Sequence, residues 1–241
     1  MSNSKTSLAT MLIACAGICG SAYGGVRVIH ASPDAPPVDV YVNGEPGMAM
    51  PNIAALAFTQ GTGYVPLPSD TYRFRVTPAG AAAPVVIDAT SPIDGSTDYT
   101  IAAINFLNSI QPLVLVDENT SDPSAARIRF VHASPDAPAV DIFAAGVAMP
   151  LFDAVSFGGV GNYLAVPGGT YDLDVRLDSN GTSVLSVPGV SVQNGFTYTI
   201  FAMGSVAGGT LQAVPFVDSV PAPGAASLLA VAGAFAARRR R

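Results

Sequence analysis

Cysteine, tryptophan, histidine and lysine are scarce or absent in this chain, and each scarcity removes a class of chemistry. The only cysteines among 241 residues are Cys15 and Cys19, both close to the N-terminus. Beyond them neither a disulfide framework nor a thiolate metal site can form. The two histidines, His30 and His132, stand far apart in sequence, whereas a zinc centre needs three or four ligands. Tryptophan is missing altogether, which weakens the case for an aromatic sugar-binding platform, although Tyr41, Tyr64, Tyr72, Tyr99, Tyr163, Tyr171 and Tyr198 remain. The single lysine, Lys5, lies near the start, and four arginines close the chain. Between those ends six arginines (Arg27, Arg73, Arg75, Arg127, Arg129 and Arg176) face 17 acids, a net charge of −11. A surface of that sign repels phosphate backbones, which excludes nucleic acid as a partner. No glycine-rich phosphate loop opens a helix, and no central stretch shows a 3.6-residue apolar period.

The two ends read as targeting segments. A polar start precedes a 12-residue apolar run, Leu8 to Cys19, and Ala22-Tyr23-Gly24 supplies a small-x-small cleavage pattern. This is the layout of a secretory signal peptide over residues 1–24, cut by signal peptidase. The run falls short of the ~20 residues that span a bilayer as a helix. Leu12-Ile13-Ala14-Cys15 also reads as a lipoprotein box, in which Cys15 becomes the lipidated N-terminus. At the other end, residues 219–241 hold Val220, Pro221, Ala222 and Pro223, then 14 apolar or small residues, then Arg238, Arg239, Arg240 and Arg241. Fourteen helical residues cover about 21 Å, less than the ~30 Å hydrocarbon core. The arginines would stay cytoplasmic by the positive-inside tendency. This tail is similar to the PEP-CTERM sorting signal, with Ala222 where that signal has glutamate. The resemblance implies transient membrane contact and cleavage by an exosortase-like processing enzyme. The alternative is a permanent, short tail anchor. Either way the protein is expected in the cell envelope, at the cell surface or outside the cell.

An internal duplication organises what lies between. His30-Ala31-Ser32-Pro33-Asp34-Ala35-Pro36 returns as His132-Ala133-Ser134-Pro135-Asp136-Ala137-Pro138, and Val38-Asp39-Val40 returns as Val140-Asp141-Ile142. The offset is 102 residues there and 99 further on, where Tyr72 matches Tyr171 and Tyr99 matches Tyr198. A three-residue length change therefore sits in the loop after Gly44. A period this long means two whole domains rather than a solenoid. We place the first at residues 25–117, a polar linker at 118–126 and the second at 127–218. So short a linker predicts domains that touch or sit at a restricted angle.

Within each copy the apolar period is two. Val38, Val40 and Val42 alternate with Asp39 and Tyr41, and Tyr72, Phe74 and Val76 alternate with Arg73 and Arg75. Turn signals such as Asn43-Gly44, Asp94-Gly95 and Asn180-Gly181 punctuate at short intervals. The expected fold is all-β: two tandem antiparallel β-sandwich domains, immunoglobulin-like or transthyretin-like, with seven or eight strands each. The signature around His30 and His132, with the later Tyr-x-x-Val-Pro-x-Gly-x-Tyr pattern, resembles the bacterial family known as domain of unknown function 4397. That resemblance implies an extracellular β-rich module, often in tandem, and no reaction.

Candidate chemistry is sparse. His30, Ser32 and Asp34, like His132, Ser134 and Asp136, present the members of a hydrolytic triad within five residues, too close to bracket an imidazole from two sides. The expected role of Ser32, Pro33, Asp34 and Pro36, and of Ser134, Pro135, Asp136 and Pro138, is to shape a turn. No catalytic residue is assigned. No cofactor is expected beyond weak Ca²⁺ binding, for which Asp34, Asp39, their twins Asp136 and Asp141, and the linker acids Asp117, Glu118 and Asp122 offer oxygens. Arg27 with Asp39, and Arg129 with Asp141, have the phase of solvent-facing cross-strand pairs. Arg73 and Arg75 align with Asp172 and Asp174, opposite charges suited to docking the copies, within a chain or between chains. The expectation is a structural or adhesive surface protein, with self-association or surface polysaccharide as partner. A surface module binding glycans or calcium is the second reading.

Overall fold

The structure, a computed structural model, describes residues 24–219. The expected signal peptide up to residue 23, with Cys15, and Val220, Pro221, Ala222, Pro223 and the four terminal arginines lie outside the described residues.

Each repeat folds into eight strands. The first comprises β1 Gly25–His30, β2 Val38–Val42, β3 Ile53–Leu56, β4 Val65–Pro66, β5 Asp70–Pro78, β6 Ile87–Ile93, β7 Asp98–Ile104 and β8 Gln111–Asp117. The second repeats them as β9 Ala126–His132, β10 Val140–Ala144, β11 Phe152–Val155, β12 Leu164–Val166, β13 Gly169–Leu177, β14 Ser183–Val192, β15 Thr197–Met203 and β16 Gln212–Ser219. Two four-stranded sheets form each repeat, ordered β4-β1-β7-β8 and β3-β2-β5-β6 in the first, β12-β9-β15-β16 and β11-β10-β13-β14 in the second.

The alternating strands behave as their sequence dictates. Val38 and Val40 of β2 and Val76 of β5 turn inward and meet Val28 of β1 and Ala103 of β7 in one core. In the second repeat Val140, Ile142, Leu173 and Val175 meet Ile128, Phe130 and Ile200. Each repeat is thus a sandwich of two sheets over an apolar core. One ladder in each departs from the antiparallel arrangement expected. β1 runs parallel to β7, with Val28 opposite Ile101, and β9 runs parallel to β15, with Phe130 opposite Ile200.

Those parallel strands are buried on both faces, which explains their sequence. Val-Arg-Val-Ile-His and Thr-Ile-Phe-Ala-Met do not alternate because neither face meets water. One face of β1 looks into its own sandwich through Val26 and Val28. The other carries Arg27 and Ile29 toward the second repeat. Ile29, Ala102, Ile104 and Leu115 of the first repeat join Val131, Ala133, Phe201 and Met203 of the second in a single cluster. The two sandwiches therefore share a third core between their outer sheet faces.

The three-residue length change falls where expected, between β2 and β3: Val40 pairs with Ile53, whereas Ile142 pairs with Phe152.

Candidate functional site

The interface between repeats buries four charges, Arg27, Asp117, Arg129 and Asp218. Arg27, 2% exposed, leaves β1 opposite Thr100, and its Nε and Nη2 donate to the Thr100 hydroxyl. Its Nη2 also donates to Asp218 Oδ1 of the other repeat at 2.7 Å, and Nη1 reaches the Val217 carbonyl. Arg129, 3% exposed, repeats the arrangement in reverse. It donates to the Thr199 hydroxyl on its own sheet and to Asp117 and the Val116 carbonyl of the first repeat. Thr100 donates onward to Asp117 and Thr199 to Asp218, each at 2.6 Å. Tyr64 and Tyr163 close the two ends, their hydroxyls donating to Asp117 and Asp218, while their rings lie over Arg27 and Arg129. Both aspartate side chains are wholly buried. The pattern is a pseudo-two-fold, in which each repeat lends an arginine and receives one.

Burial alone would unseat such charges, and the donors hold them. Loss of water pushes the Asp218 carboxyl above its ordinary value, while Arg27, Thr199 and Arg129 pull against that rise. Burial likewise pushes the Tyr64 and Tyr163 phenols upward, so both remain hydrogen-bond donors. A buried ion pair is stable only when its remaining lone pairs are satisfied, as the threonines and tyrosines do here.

The signature turns lie at the far end of the same strands. His30 Nε2 meets the Pro36 carbonyl at 3.0 Å and His132 Nε2 meets Pro138 at 3.0 Å, so each ring pins the turn that follows it. The backbone N–H of Ser32 lies 3.4 Å from His30 Nδ1. Phe58 and Phe157 pack edge-on against the rings. Asp34 accepts the Leu107 N–H, while Asp136 accepts the Ser205 hydroxyl and the N–H groups of Val206 and Ala207. Ser134 Oγ lies 3.3 Å from Asp136 and Ser32 Oγ is buried. Among the described residues neither imidazole accepts a serine hydroxyl, so the triad members are not wired as nucleophile and base. Pro33 and Pro135 sit half-buried inside the turns, Pro36 and Pro138 on their exposed side. Asp39 and Asp141 are placed on β2 and β10 rather than in the turns. Each receives the N–H of a left-handed alanine in the neighbouring edge strand, Ala55 at φ 51° and Ala154 at φ 49°.

The family described as Domain of unknown function (DUF4397) matches residues 24–143 and again 126–238. The chain belongs to this family. No curated protein matches the sequence. Among solved structures, a family-26 carbohydrate-binding module from Eubacterium rectale in complex with maltoheptaose aligns at 12% identity and a TM-score of 0.25, over 78% of this chain and 95% of that one. The fimbrial anchor protein of Porphyromonas gingivalis aligns at 10% identity and a TM-score of 0.26, over 81% and 97%. Scores this low fix neither topology nor ligand.

Two sequence expectations are corrected in this DUF4397 pair. Arg27 and Arg129 do face outward from their sandwiches, but onto Asp218 and Asp117 of the opposite repeat, not onto Asp39 and Asp141 in solvent. Arg73 and Arg75 do not dock the repeats: Arg73 pairs with Asp88, and Arg75 pairs with Glu45 and donates to the Gly44 carbonyl. Asp172 accepts the Gly189 N–H, and Asp174 pairs with Arg176 and Ser183. Those charges serve their own sheets because the outer faces of the other two sheets form the interface. Of the linker acids, Asp117 closes β8 inside this network, Glu118 pairs with Arg127, and Asp122 accepts the Ser124 N–H. The signal that identifies the interface was present in sequence: an arginine followed at alternate positions by Ile29 and Ala31, or by Val131 and Ala133, inside an otherwise apolar strand.

Two further features of this DUF4397 chain have the shape of a binding site. Asp141, Asp153 and Asp178 bring carboxylate oxygens within 4.8 Å of one another, donors of the kind Ca²⁺ takes. Between the edges of β11 and β12 runs a groove of about 610 Å³ whose polar lining includes Asp153, Ser156, Asn162 and Tyr163.

The histidines give this DUF4397 pair a pH dependence of defined sign. Burial holds both imidazoles below their ordinary value, with the bonds to Pro36 and Pro138 pulling the other way. Below pH ~6.5 the unfolded chain therefore takes up protons that the folded chain refuses. Stability is unaffected by this term above that pH and falls as the pH drops toward the lowered values. Thermal melts at pH 7.5 and 5.5 are expected to show a lower Tm in acid. In a His30→Gln/His132→Gln variant, which keeps a nitrogen donor for each carbonyl, that drop is expected to shrink.

Proposed function

We propose that this chain is an exported structural or adhesive module of the cell surface or extracellular matrix, matured by signal peptidase and sorted by an exosortase-like enzyme. The observation that supports this reading is the reciprocal burial of Arg27 with Asp218 and of Arg129 with Asp117. It fastens the repeats into one stiff body and gives their strongest polar groups a holding role rather than a reacting one. Both described ends of the chain leave that body on one side: Gly25 and Ser219 lie at the strand ends that bracket the two ion pairs. A tail at Ser219 held in a membrane would point the signature turns of both repeats outward. The second reading, a module for surface polysaccharide or calcium, is supported by the β11–β12 groove and the three clustered aspartates.

Intact-mass spectrometry of the chain recovered separately from native cells and medium tests the sorting. A mass that begins near Gly25 and lacks Arg238 to Arg241 supports it; a full-length intracellular chain overturns it. Sedimentation and glycan arrays on that recovered protein separate the two readings. Self-association without glycan signal favours the structural role. Glycan capture lost on Asn162→Ala and Asp153→Ala substitution favours the groove.

A further inference from the structure

We infer that the end of the molecule from which the chain leaves for its C-terminal tail docks on a zwitterionic lipid surface, through methionine-tipped loops from both repeats. This rests on the proposed tail reading. The β2–β3 loop and its twin between β10 and β11 each carry an alanine, a methionine and a proline in succession, Ala49-Met50-Pro51 and Ala148-Met149-Pro150. Met48, Met50 and Met149 are 90%, 87% and 75% exposed, an unusual placement for large apolar side chains that water does not favour.

Strand register places both loops at the exit end. Val42, which leads into the first loop, shares a concave surface with Val26 at the start of β1 and with Val65, whose partner on β1 is Val26. In the second repeat Val147 and Leu151 flank a cavity of about 200 Å³ with Ile128 and Val166, at the end where Val166 pairs with Ala126. Ser219 pairs with Thr197, and Thr197 with Arg127, so the last described residue leaves at that level. The bonds from Arg27 to Asp218 and from Arg129 to Asp117 bring the matching ends of the two repeats to one side.

The distance to the tail completes the argument. Only residues 220–223 separate Ser219 from the apolar run that begins at Gly224. Five steps of chain reach at most about 17 Å. A tail seated in a bilayer therefore holds this end close to the headgroups, within reach of flexible, polarisable methionines. The cavity beside Val147 is lined by Ala144, Leu151, Leu173 and Ile200, and so meets acyl carbon without stranding a polar group. Arg73, Arg75 and Arg127 are already paired, with Asp88, Glu45 and Glu118. Together with the acidic balance of the chain, this favours zwitterionic over anionic lipid.

The absence of tryptophan makes the test direct. Full-length chain carrying Met149→Trp as its only tryptophan is reconstituted in phosphatidylcholine vesicles, with Val206→Trp at the opposite end as comparison. Docking predicts blue-shifted Trp emission for the first variant, with roughly half or more of it lost to acyl-brominated lipid at the shallow depth of an interfacial contact. The second variant should keep its emission. If vesicle-bound Met149→Trp protein is as red and unquenched as Val206→Trp, docking is wrong while tail anchoring stands. If the chain does not associate with vesicles, both ideas fall. A blue-shifted, dimeric Met149→Trp protein without vesicles overturns lipid in favour of a second copy.

Discussion

Replacement of Asp117 by alanine is expected to lower the unfolding free energy by about 3–5 kcal/mol. Asp117 receives Arg129 of the other repeat, the Thr100 hydroxyl and the Tyr64 hydroxyl. Its removal strands a guanidinium that is 3% exposed. The cost comes from that orphaned charge, not from the attraction of the pair, which desolvation largely offsets. The two can be separated. A double variant, Asp117→Leu with Arg129→Met, removes both charges and should recover most of the loss. Urea denaturation of wild type, both single variants and the double variant closes the cycle. Equal losses in single and double variants would mean that the pair acts through packing alone. Solution scattering on Asp117→Ala should also show a larger radius of gyration, because the network spans the repeats.

Phe201→Ala is expected to cost a similar ~3–5 kcal/mol, for a different reason. Phe201 is fully buried in the cluster shared by the two repeats and meets Phe216 edge-on at 5.7 Å. The first repeat has Ala102 at the equivalent place on β7. The shared cluster thus holds one large ring and one small residue at equivalent positions, and shrinking the ring leaves a void in it. Thermal unfolding measures the loss. Phe201→Leu, which keeps most of the volume, should recover a large part of it. A loss from Phe201→Ala below about 1 kcal/mol, the range of an exposed substitution, would mean that the shared core is not closed in solution.

The sequence made the outer layers legible and left the middle unread. Val38, Val40, Phe74 and Val76 face the sandwich core while Asp39, Tyr41, Arg73 and Arg75 point to the other face of the sheet, so the apolar period of two is legible. β1, β7, β9 and β15 carry apolar residues on both faces because a second sandwich covers them. That continuous burial removes the alternation from which register and direction are read, so the parallel ladders leave no mark in the sequence. The phase of Arg27 and Arg129 shows which face they take, but a lone arginine on a strand looks solvated until something is known to lie opposite. Asp117 and Asp218 sit at domain edges, where acidic residues usually mean linker. Their partners lie 12 and 191 residues away, and no local pattern links them. The signature turns were readable for the opposite reason: each His30-to-Pro36 contact closes within seven residues.

The exchange of arginines across the pseudo-two-fold has one consequence for how the molecule behaves on dilution. Two separate copies of such a domain, meeting through the same reciprocal contacts, would form a symmetric pair whose population depends on how much protein is present. Joined by a short linker, the two halves meet at an effective concentration set by the tether, on the order of millimolar. The pairing no longer responds to abundance. A single chain at any dilution is already assembled, with no counterpart to find.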